Sequence, residues 1–233
     1  MSGGLFNKSS FGLDAGDGSI KFVELINTKN GIKLGRHGEY KVHNKKELKV
    51  VLSSLKKIFG SKPVHLSLPR QDKENMEEHI LALKNFGIKT GLSEHRIHAI
   101  GRSVIKKGDL GTYMVVNFGG SKSDIFVVSG GVLTHHLAAP GAIYLLRDEI
   151  ARHFLSWHTE KDKNRSHIQK IIVCGSGPDL LQFSEYLAVN MRHKAEMANV
   201  WINVLDTSEW TPEINYEQSL GFAAALGAAL KGL

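Results

Sequence analysis

The sequence of 233 residues predicts a two-lobed α/β fold in which a unit of three strands followed by helices occurs twice. The first observation is FGLDAGDGSIKFVEL at residues 11–25, which reads as a strand, a glycine-rich turn and a second strand. The second is GTYMVVNFGGSKSDIFVVSGGVLTHHL at residues 111–137, which repeats this order and adds a strand after a Gly-Gly turn. Helical patterns follow both units, so the sequence indicates an internal duplication.

Helix and strand signals alternate after the first glycine turn. Asn30-Gly31 predicts a turn into a third strand. Apolar residues at helical spacing between an Asn44 cap and Gly60 predict a helix. The remaining predicted elements of the first half are a strand over 63–69, a helix over 74–86, a short strand over 88–93, and a helix that Ser93 caps and that runs to Lys106.

The second half continues with helices that separate short strands. Its predicted elements are a helix after Pro140-Gly141, a buried strand over 168–177, a helix from Pro178 to Asn190, a last strand from Val200 to Val204, and a C-terminal helix of small residues. We therefore expect lobe I at residues 1–110 and lobe II at residues 111–217. Residues 218–233 are expected to form a helix that packs back between the lobes.

Composition and charge are those of a globular protein that folds in water. Apolar residues make up 42% and charged residues 23% of the chain, its formal net charge is +7, and Cys174 is its single cysteine. No apolar run reaches the roughly 18 residues that cross a bilayer, so we expect a cytoplasmic protein. Positive charge concentrates before residue 110, in part between Lys45 and Lys57. Nucleic acid is not an expected partner, because basic patches that bind it usually carry interleaved aromatic residues.

Three glycine-bearing turns, each at the end of a predicted strand, form the candidate site. Glycine lets backbone amides approach an anion and tolerates positive φ, so such turns bind phosphate. One turn is a weak signal, whereas three on duplicated units are a strong signal for phosphate binding. The candidate nucleotide-binding residues are Asp14, Gly16, Asp17, Gly18, Ser19 and Lys21 in the first turn, Asn117, Gly119, Gly120, Ser121, Lys122 and Ser123 in the second, and Gly175, Ser176 and Gly177 in the third.

The order and spacing of these turns resemble the actin-like ATPase superfamily, whose fold is ribonuclease H-like. In that superfamily two hairpin loops clasp the phosphates of ATP and a third turn holds the adenosine. The resemblance implies that DAGDGSIK is the phosphate-1 loop, with Lys21 reaching the β and γ phosphates. It implies that NFGGSKSD is the phosphate-2 loop and IVCGSGP the adenosine motif. It further implies ATP with Mg²⁺ as the cofactor, with Asp14 and Asp124 holding the metal through water.

Within the superfamily the chain is most similar to the PilM family of type IV pilus assembly, which is related to the cell-division protein FtsA. The leader LFNKSS, both phosphate loops and the ending SLGFAAALGAALKGL carry this resemblance over nearly the whole chain. PilM proteins are longer, because they insert a subdomain called 1C where SLPRQ here runs almost directly into the next helix. We therefore expect a shortened member that lacks most of 1C.

Four positions bear on catalysis. Asn117 stands where the superfamily has an aspartate that orients Mg²⁺, and an amide lacks the charge that attracts a hard dication. Lys122 adds a positive charge in the same turn that could bind phosphate directly. Glu94, on the connecting segment, and Asp124 are the candidate catalytic residues, as general bases near the γ phosphate. We therefore predict that the chain binds ATP and hydrolyses it weakly or not at all.

The resemblance implies a cytoplasmic scaffold at the inner face of the cytoplasmic membrane. Such a scaffold would bind the cytoplasmic tail of a PilN-like inner-membrane protein and link it to the pilus assembly machinery. Two alternatives stay open: an active ATPase or small-molecule kinase of the same fold, and a nucleotide-free pseudo-ATPase scaffold that holds partners by shape. Self-association and peripheral contact with the membrane are compatible with each of these functions.

Overall fold

The structure is a computed structural model that describes residues 8–16, 18–69, 73–119, 122–159, 166–177, 180–191, 193–205 and 211–233. In chain order its elements within these ranges are β1 (Lys8–Gly16), β2 (Ser19–Thr28), β3 (Gly31–Lys41), α1 (Lys45–Phe59), β4 (Val64–Leu68), α2 (Lys73–Asn85), β5 (Thr90–His95), α3 (Arg96–Val104), β6 (Thr112–Phe118), β7 (Lys122–Ser129), β8 (Val132–Pro140), α4 (Ile143–Thr159), β9 (Lys170–Gly175), α5 (Leu180–Asn190), β10 (Ala195–Met197), α6 (Tyr216–Leu220) and α7 (Ala223–Lys231). In this part of the chain no helix is both long and apolar enough to span a bilayer.

Two five-stranded sheets of equivalent topology confirm the predicted duplication. The first has the strand order β3-β2-β1-β4-β5 and the second has the order β8-β7-β6-β9-β10. In each sheet the first three strands of the unit are antiparallel. The fourth strand pairs in parallel with the first, and the fifth pairs in parallel with the fourth. A short turn can join antiparallel strands, whereas parallel strands need a crossover. In each unit a helix supplies this connection.

The first compact unit comprises Met1–Ser103, Trp201–Glu213 and Phe222–Leu233. Helix α1 begins at the predicted Asn44 cap, whose side chain accepts hydrogen bonds from the amides of Lys46 and Glu47. Its Phe59 packs edge-on against Phe11 of β1, with ring centroids 4.9 Å apart. These rings belong to a buried core between α1 and the sheet.

Helix α7 packs closely on the same sheet, against β1, β2 and β4. At Gly12 of β1 an added Cβ would overlap the carbonyl oxygen of Ala225, and at Gly227 of α7 it would overlap that of Ala99. Glycine is required at both positions because backbone meets backbone there. The small residues of the C-terminal segment therefore serve close packing, as their composition predicts.

The second compact unit comprises Val104–Val200 and Ile214–Gly221. Its central strand β6 lies between β7 and β9, and nearly all of its residues are buried. At the edge, β10 pairs in parallel with β9, and the Ala198 amide donates to the Val173 carbonyl at 2.8 Å. Trp157 of α4 is buried, and its indole nitrogen donates to the Ser166 carbonyl at 3.0 Å.

The compact units have other bounds than the predicted lobes, which were divided at residues 110, 217 and 218. The C-terminal segment forms two helices, α6 and α7, because the amide of Gly221 caps α6 on the carbonyls of Gln218 and Ser219. Residues up to Gly221 belong to the second unit, and Phe222–Leu233 belong to the first. The first unit also takes Trp201–Glu213.

Two local predictions are wrong. Ser93 does not cap α3, because it lies within β5 opposite Leu66. The helix begins at Arg96. The ring of His95 accepts a hydrogen bond from the Ile97 amide instead. Residues 200–204 form a turn closed by the Val204 amide on the Trp201 carbonyl at 2.8 Å, not a strand. The last strand is β10. Between β4 and α2 only residues 69–72 intervene, of which 70–72 lie outside the described residues.

Candidate functional site

The first glycine turn joins β1 to β2 as predicted. Strand β1 ends at Gly16 and β2 begins at Ser19. Gly18 between them has φ of +72°, a backbone conformation that residues with a side chain rarely adopt. The Gly18 carbonyl accepts the Val42 amide at 2.8 Å and so ties the turn to the end of β3. Asp17 lies outside the described residues.

Five polar residues form one row across the sheet of the first unit, directly before this turn. Asp14 on β1 lies opposite Lys21 on β2 and opposite Ser67 on β4. The row extends to Glu39 on β3 beyond Lys21, and to Glu94 on β5 beyond Ser67. Residues opposite one another in a sheet project from the same face. Three predicted site residues, Asp14, Lys21 and Glu94, therefore lie in one row on the same face of the sheet.

Asp14 is held by an internal arginine that the sequence analysis missed. Its Oδ1 accepts hydrogen bonds from Arg96 Nε at 3.0 Å and from Ser67 Oγ at 3.1 Å. The Asp14 and Arg96 side chains are only 14% and 7% exposed. A Cβ added at Gly16 would overlap Nη2 of Arg96, so the guanidinium lies against the turn itself. Asp14, Gly16 and Arg96 thus form one contact cluster.

Lys21 is a buried cation beside this cluster. Its Nζ lies 4.0 Å from a carboxylate oxygen of Glu39 and 5.9 Å from the ring centroid of Phe222. Burial lowers the pKa of Lys21 below its ordinary value, and the carboxylates of Glu39 and Asp14 oppose that shift. Asp14 thus has Lys21 opposite it on β2 and the Arg96 guanidinium of α3 in contact with its carboxylate.

Glu94 forms a second ion-pair cluster in the same row. Its oxygens accept hydrogen bonds from Nη1 and Nη2 of Arg102, at 2.5 and 2.8 Å. They also accept one from Nζ of Lys231 on α7, at 2.9 Å. Burial alone would raise the pKa of Glu94, but these hydrogen bonds outweigh it and lower the pKa. A carboxylate held by two cations is a weak base. Its catalytic role stays a prediction, and its contacts favour anchoring of α7 to the sheet.

The second glycine turn has the equivalent position in the second unit. Asn117 on β6 lies opposite Asp124 on β7 and opposite Cys174 on β9, in the same arrangement as the row of the first unit. The Ser123 hydroxyl accepts the Gly119 amide at 3.3 Å and so closes the turn, and the side chain of Lys122 is exposed. Gly120 and Ser121 lie outside the described residues.

Asp124 is also paired within its own unit. Its Oδ1 lies 2.9 Å from Nε2 of His136 on β8, and both side chains are largely buried. His135, the preceding residue, packs its ring near Trp157 of α4, at 6.4 Å between centroids. Adjacent strand residues face opposite sides of a sheet, and these contacts agree with that expectation. The His135-His136 pair therefore does not form a chelate.

The third turn needs its glycines because it passes against the end of β6. At Gly175, where φ is +113°, a Cβ would overlap the carbonyl oxygen of Phe118, and that oxygen also accepts the Ser176 amide at 2.9 Å. A Cβ at Gly177 would meet the Phe118 ring at 2.6 Å. Cys174 is fully buried, and burial raises the pKa of its thiol, so it is a core residue.

The residues predicted to hold Mg²⁺ through water, Asp14 and Asp124, each have one carboxylate oxygen engaged by a neighbouring side chain. Mg²⁺ takes oxygen ligands in near-octahedral geometry, whereas the Oδ1 atoms of Asp14 and Asp124 are engaged by nitrogen atoms of Arg96 and His136. Over the described stretches, no group of three or more histidine, cysteine or acidic side chains could hold a metal ion. The partners of these carboxylates, Arg96 and His136, were not predicted.

No family model matches the chain, and no curated protein does. Solved structures do match over almost its full length. A chain of a PilM-PilN type IV pilus biogenesis complex aligns with a TM-score of 0.71 at 13% identity, covering 97% of this chain and 99% of that one. The ethanolamine utilization protein EutJ from Carboxydothermus hydrogenoformans gives 0.61 at 16% identity, with 97% and 90% covered.

MreB 5 of Spiroplasma citri, bound to AMPPNP, gives a TM-score of 0.59 at 11% identity, with 96% of this chain and 95% of that chain covered. Identities this low establish the fold and nothing finer. The fold is the actin-like fold that these structures share, as the resemblance of the glycine turns implied.

Replacing Glu94 by glutamine should destabilise the first unit, because Arg102 and Lys231 lose their counter-charge. Breaking a buried pair costs about 3–5 kcal/mol, and both cations are partly exposed, so we expect a loss of roughly 2 kcal/mol in urea unfolding at pH 7. The folded-state pKa of Glu94 is lowered, so its stabilisation is complete above the ordinary value of 4.5 and is lost as pH falls below it.

The difference between wild type and Glu94→Gln should therefore shrink on acidification through pH 4.5. Glu149→Gln, which removes a surface pair with Arg152, is the control and should stay within about 0.5 kcal/mol of wild type. A difference that grows as pH falls would contradict the assigned ion pairs.

Proposed function

We propose that the chain is an actin-like protein that binds ATP through its glycine turns and hydrolyses it slowly or not at all. The observation that carries this proposal is the first turn, where DAGDGSIK joins β1 to β2 and sets Lys21 beside Asp14. Its counterpart on β6 and β7 has the same register. One protein with this fold, MreB 5, is bound to the nucleotide analogue AMPPNP. Duplicated turns of this kind are typical of phosphate binding.

Slow hydrolysis is proposed from the state of the candidate catalytic groups. Hydrolysis needs a positioned water and stabilisation of charge at the γ phosphate. Asn117 is an amide, Asp124 is paired with His136, and Glu94 is held by Arg102 and Lys231. None of the three offers an unengaged carboxylate in the described structure. We therefore assign the nucleotide a binding role rather than a substrate role.

For the biological role we propose a scaffold of type IV pilus assembly that binds the cytoplasmic tail of a PilN-like membrane protein. The similarity that supports it is to a chain of the PilM-PilN complex, which is covered over 99% of its length. Such a scaffold would act in the cytoplasm at the inner face of the membrane. The rival functions are an active ATPase or kinase and a scaffold that binds no nucleotide.

Isothermal titration calorimetry with ATP tests the nucleotide proposal. Wild type should bind, and Lys21→Ala should weaken binding at least tenfold, or about 1.4 kcal/mol, because it removes a cation beside the turn. Lys33→Ala, at an exposed position of β3, is the matched control and should bind as wild type does. Phosphate release by the wild type should stay below about one per minute, far under the roughly 10 s⁻¹ of a median enzyme.

Faster phosphate release would favour the active ATPase or kinase. Absence of heat and of any thermal shift with ATP would favour the nucleotide-free scaffold and overturn the nucleotide proposal.

The partner proposal is tested by fluorescence anisotropy with a labelled peptide of the cytoplasmic tail of the PilN-like protein from the same organism. We expect saturable binding by wild type and none by a peptide of the same composition in scrambled order. Equal binding of the two peptides would indicate a nonspecific charge effect of this basic chain and would contradict the assigned partner.

A further inference from the structure

We propose that the first glycine turn binds the anionic nucleotide without a divalent cation, and that Arg96 is the positioning residue that replaces the metal charge. The inference rests on the proposed function, because it concerns the form in which the nucleotide is bound. All the residues that carry it, Asp14, Gly16, Ser67 and Arg96, belong to the first compact unit.

The Asp14–Arg96 pair is built into the fold rather than formed by chance at a surface. Asp14 lies two residues before the end of β1, Ser67 lies opposite it on β4, and Arg96 is the first residue of α3. Arg96 Nε and Ser67 Oγ converge on the same oxygen of Asp14, at 3.0 and 3.1 Å. Both charged side chains are largely buried. Three elements thus fix the guanidinium beside the turn.

The Arg96 guanidinium neutralises the Asp14 carboxylate, a role that a metal ion otherwise has beside a bound polyphosphate. A carboxylate beside a polyphosphate repels it, and a divalent cation normally relieves that repulsion. Here the guanidinium, which stays protonated at any physiological pH, neutralises Asp14 from within the protein. Its Nη2 lies against Gly16, so the positive charge is next to the backbone of the turn. Lys21, opposite Asp14 on β2, adds a second cation near the turn.

The second unit independently shows the same feature. Asp124, its predicted metal carboxylate, is 2.9 Å from Nε2 of His136, and the residue opposite it is the uncharged Asn117. In both units one oxygen of the carboxylate predicted to hold hydrated Mg²⁺ is already engaged by a nitrogen of a neighbouring element. One such pair could be incidental, whereas a second beside the other glycine turn, on the strand that corresponds to β2, supports a site organised without metal.

The test compares binding of a fluorescent N-methylanthraniloyl ATP in EDTA and in excess Mg²⁺. We expect affinity in EDTA to equal or exceed that in Mg²⁺. Asp14→Asn should strengthen binding in EDTA several-fold, because the Arg96 charge is then uncompensated; a metal-binding Asp14 predicts the opposite. Arg96→Gln should weaken binding in EDTA at least tenfold, and Mg²⁺ should restore part of it by reaching the released Asp14 carboxylate.

The matched control is Arg36→Gln, which removes an arginine paired through Nε with Glu24 at 2.8 Å elsewhere in the same unit. It should bind the analogue as wild type does. Circular dichroism melts establish that each variant folds. If Arg96→Gln does not fold, the result with Asp14→Asn still decides the test. The metal alone is a further probe: Mn²⁺ followed by electron paramagnetic resonance should show no site in wild type.

Binding that requires Mg²⁺, loss of binding in Asp14→Asn, or a stoichiometric Mn²⁺ site would overturn the inference and leave the proposed nucleotide function standing. Absence of analogue binding in both EDTA and Mg²⁺ would overturn both.

Discussion

The ion pair between Asp14 and Arg96 is the contact on which the candidate site depends. It joins the end of β1 to the start of α3, and Ser67 of β4 donates to the same oxygen. Charged groups this far from water need partners, because an unpaired buried charge is costly. The pair therefore fixes the path of the chain around the first glycine turn, and it fixes the charge that the turn presents to an anion.

The candidate catalytic carboxylates, Glu94 and Asp124, connect neighbouring elements of their units. Glu94 anchors α7 through Lys231 and α3 through Arg102, and Asp124 links β7 to β8 through His136. A fold that hydrolyses ATP keeps such groups for water and metal. In this chain they are engaged by internal partners. This engagement supports the proposal that the chain binds a nucleotide and does not hydrolyse it rapidly.

Local features were predictable and distant pairings were not. The first turn, the Asn44 cap and the duplicated strand order follow from glycine spacing and periodicity, which act over a few residues. Arg96 was missed because its partner lies 82 residues away in sequence, and one sequence does not reveal such contacts. Residues 200–204 have strand-forming side chains, yet the position beside β9 belongs to Ala195–Met197, so tertiary pairing overrode propensity.

Hydrogen–deuterium exchange of the whole chain, with and without ATP in EDTA, tests the central claim most directly. Amides of a turn that cradles phosphate become protected when the ligand binds. We expect ATP-dependent protection in peptides covering residues 14–21 and 117–124 without any metal, and unchanged exchange in peptides from α2. Protection that appears only when Mg²⁺ is added would contradict the metal-free site, and no protection of either turn would contradict nucleotide binding.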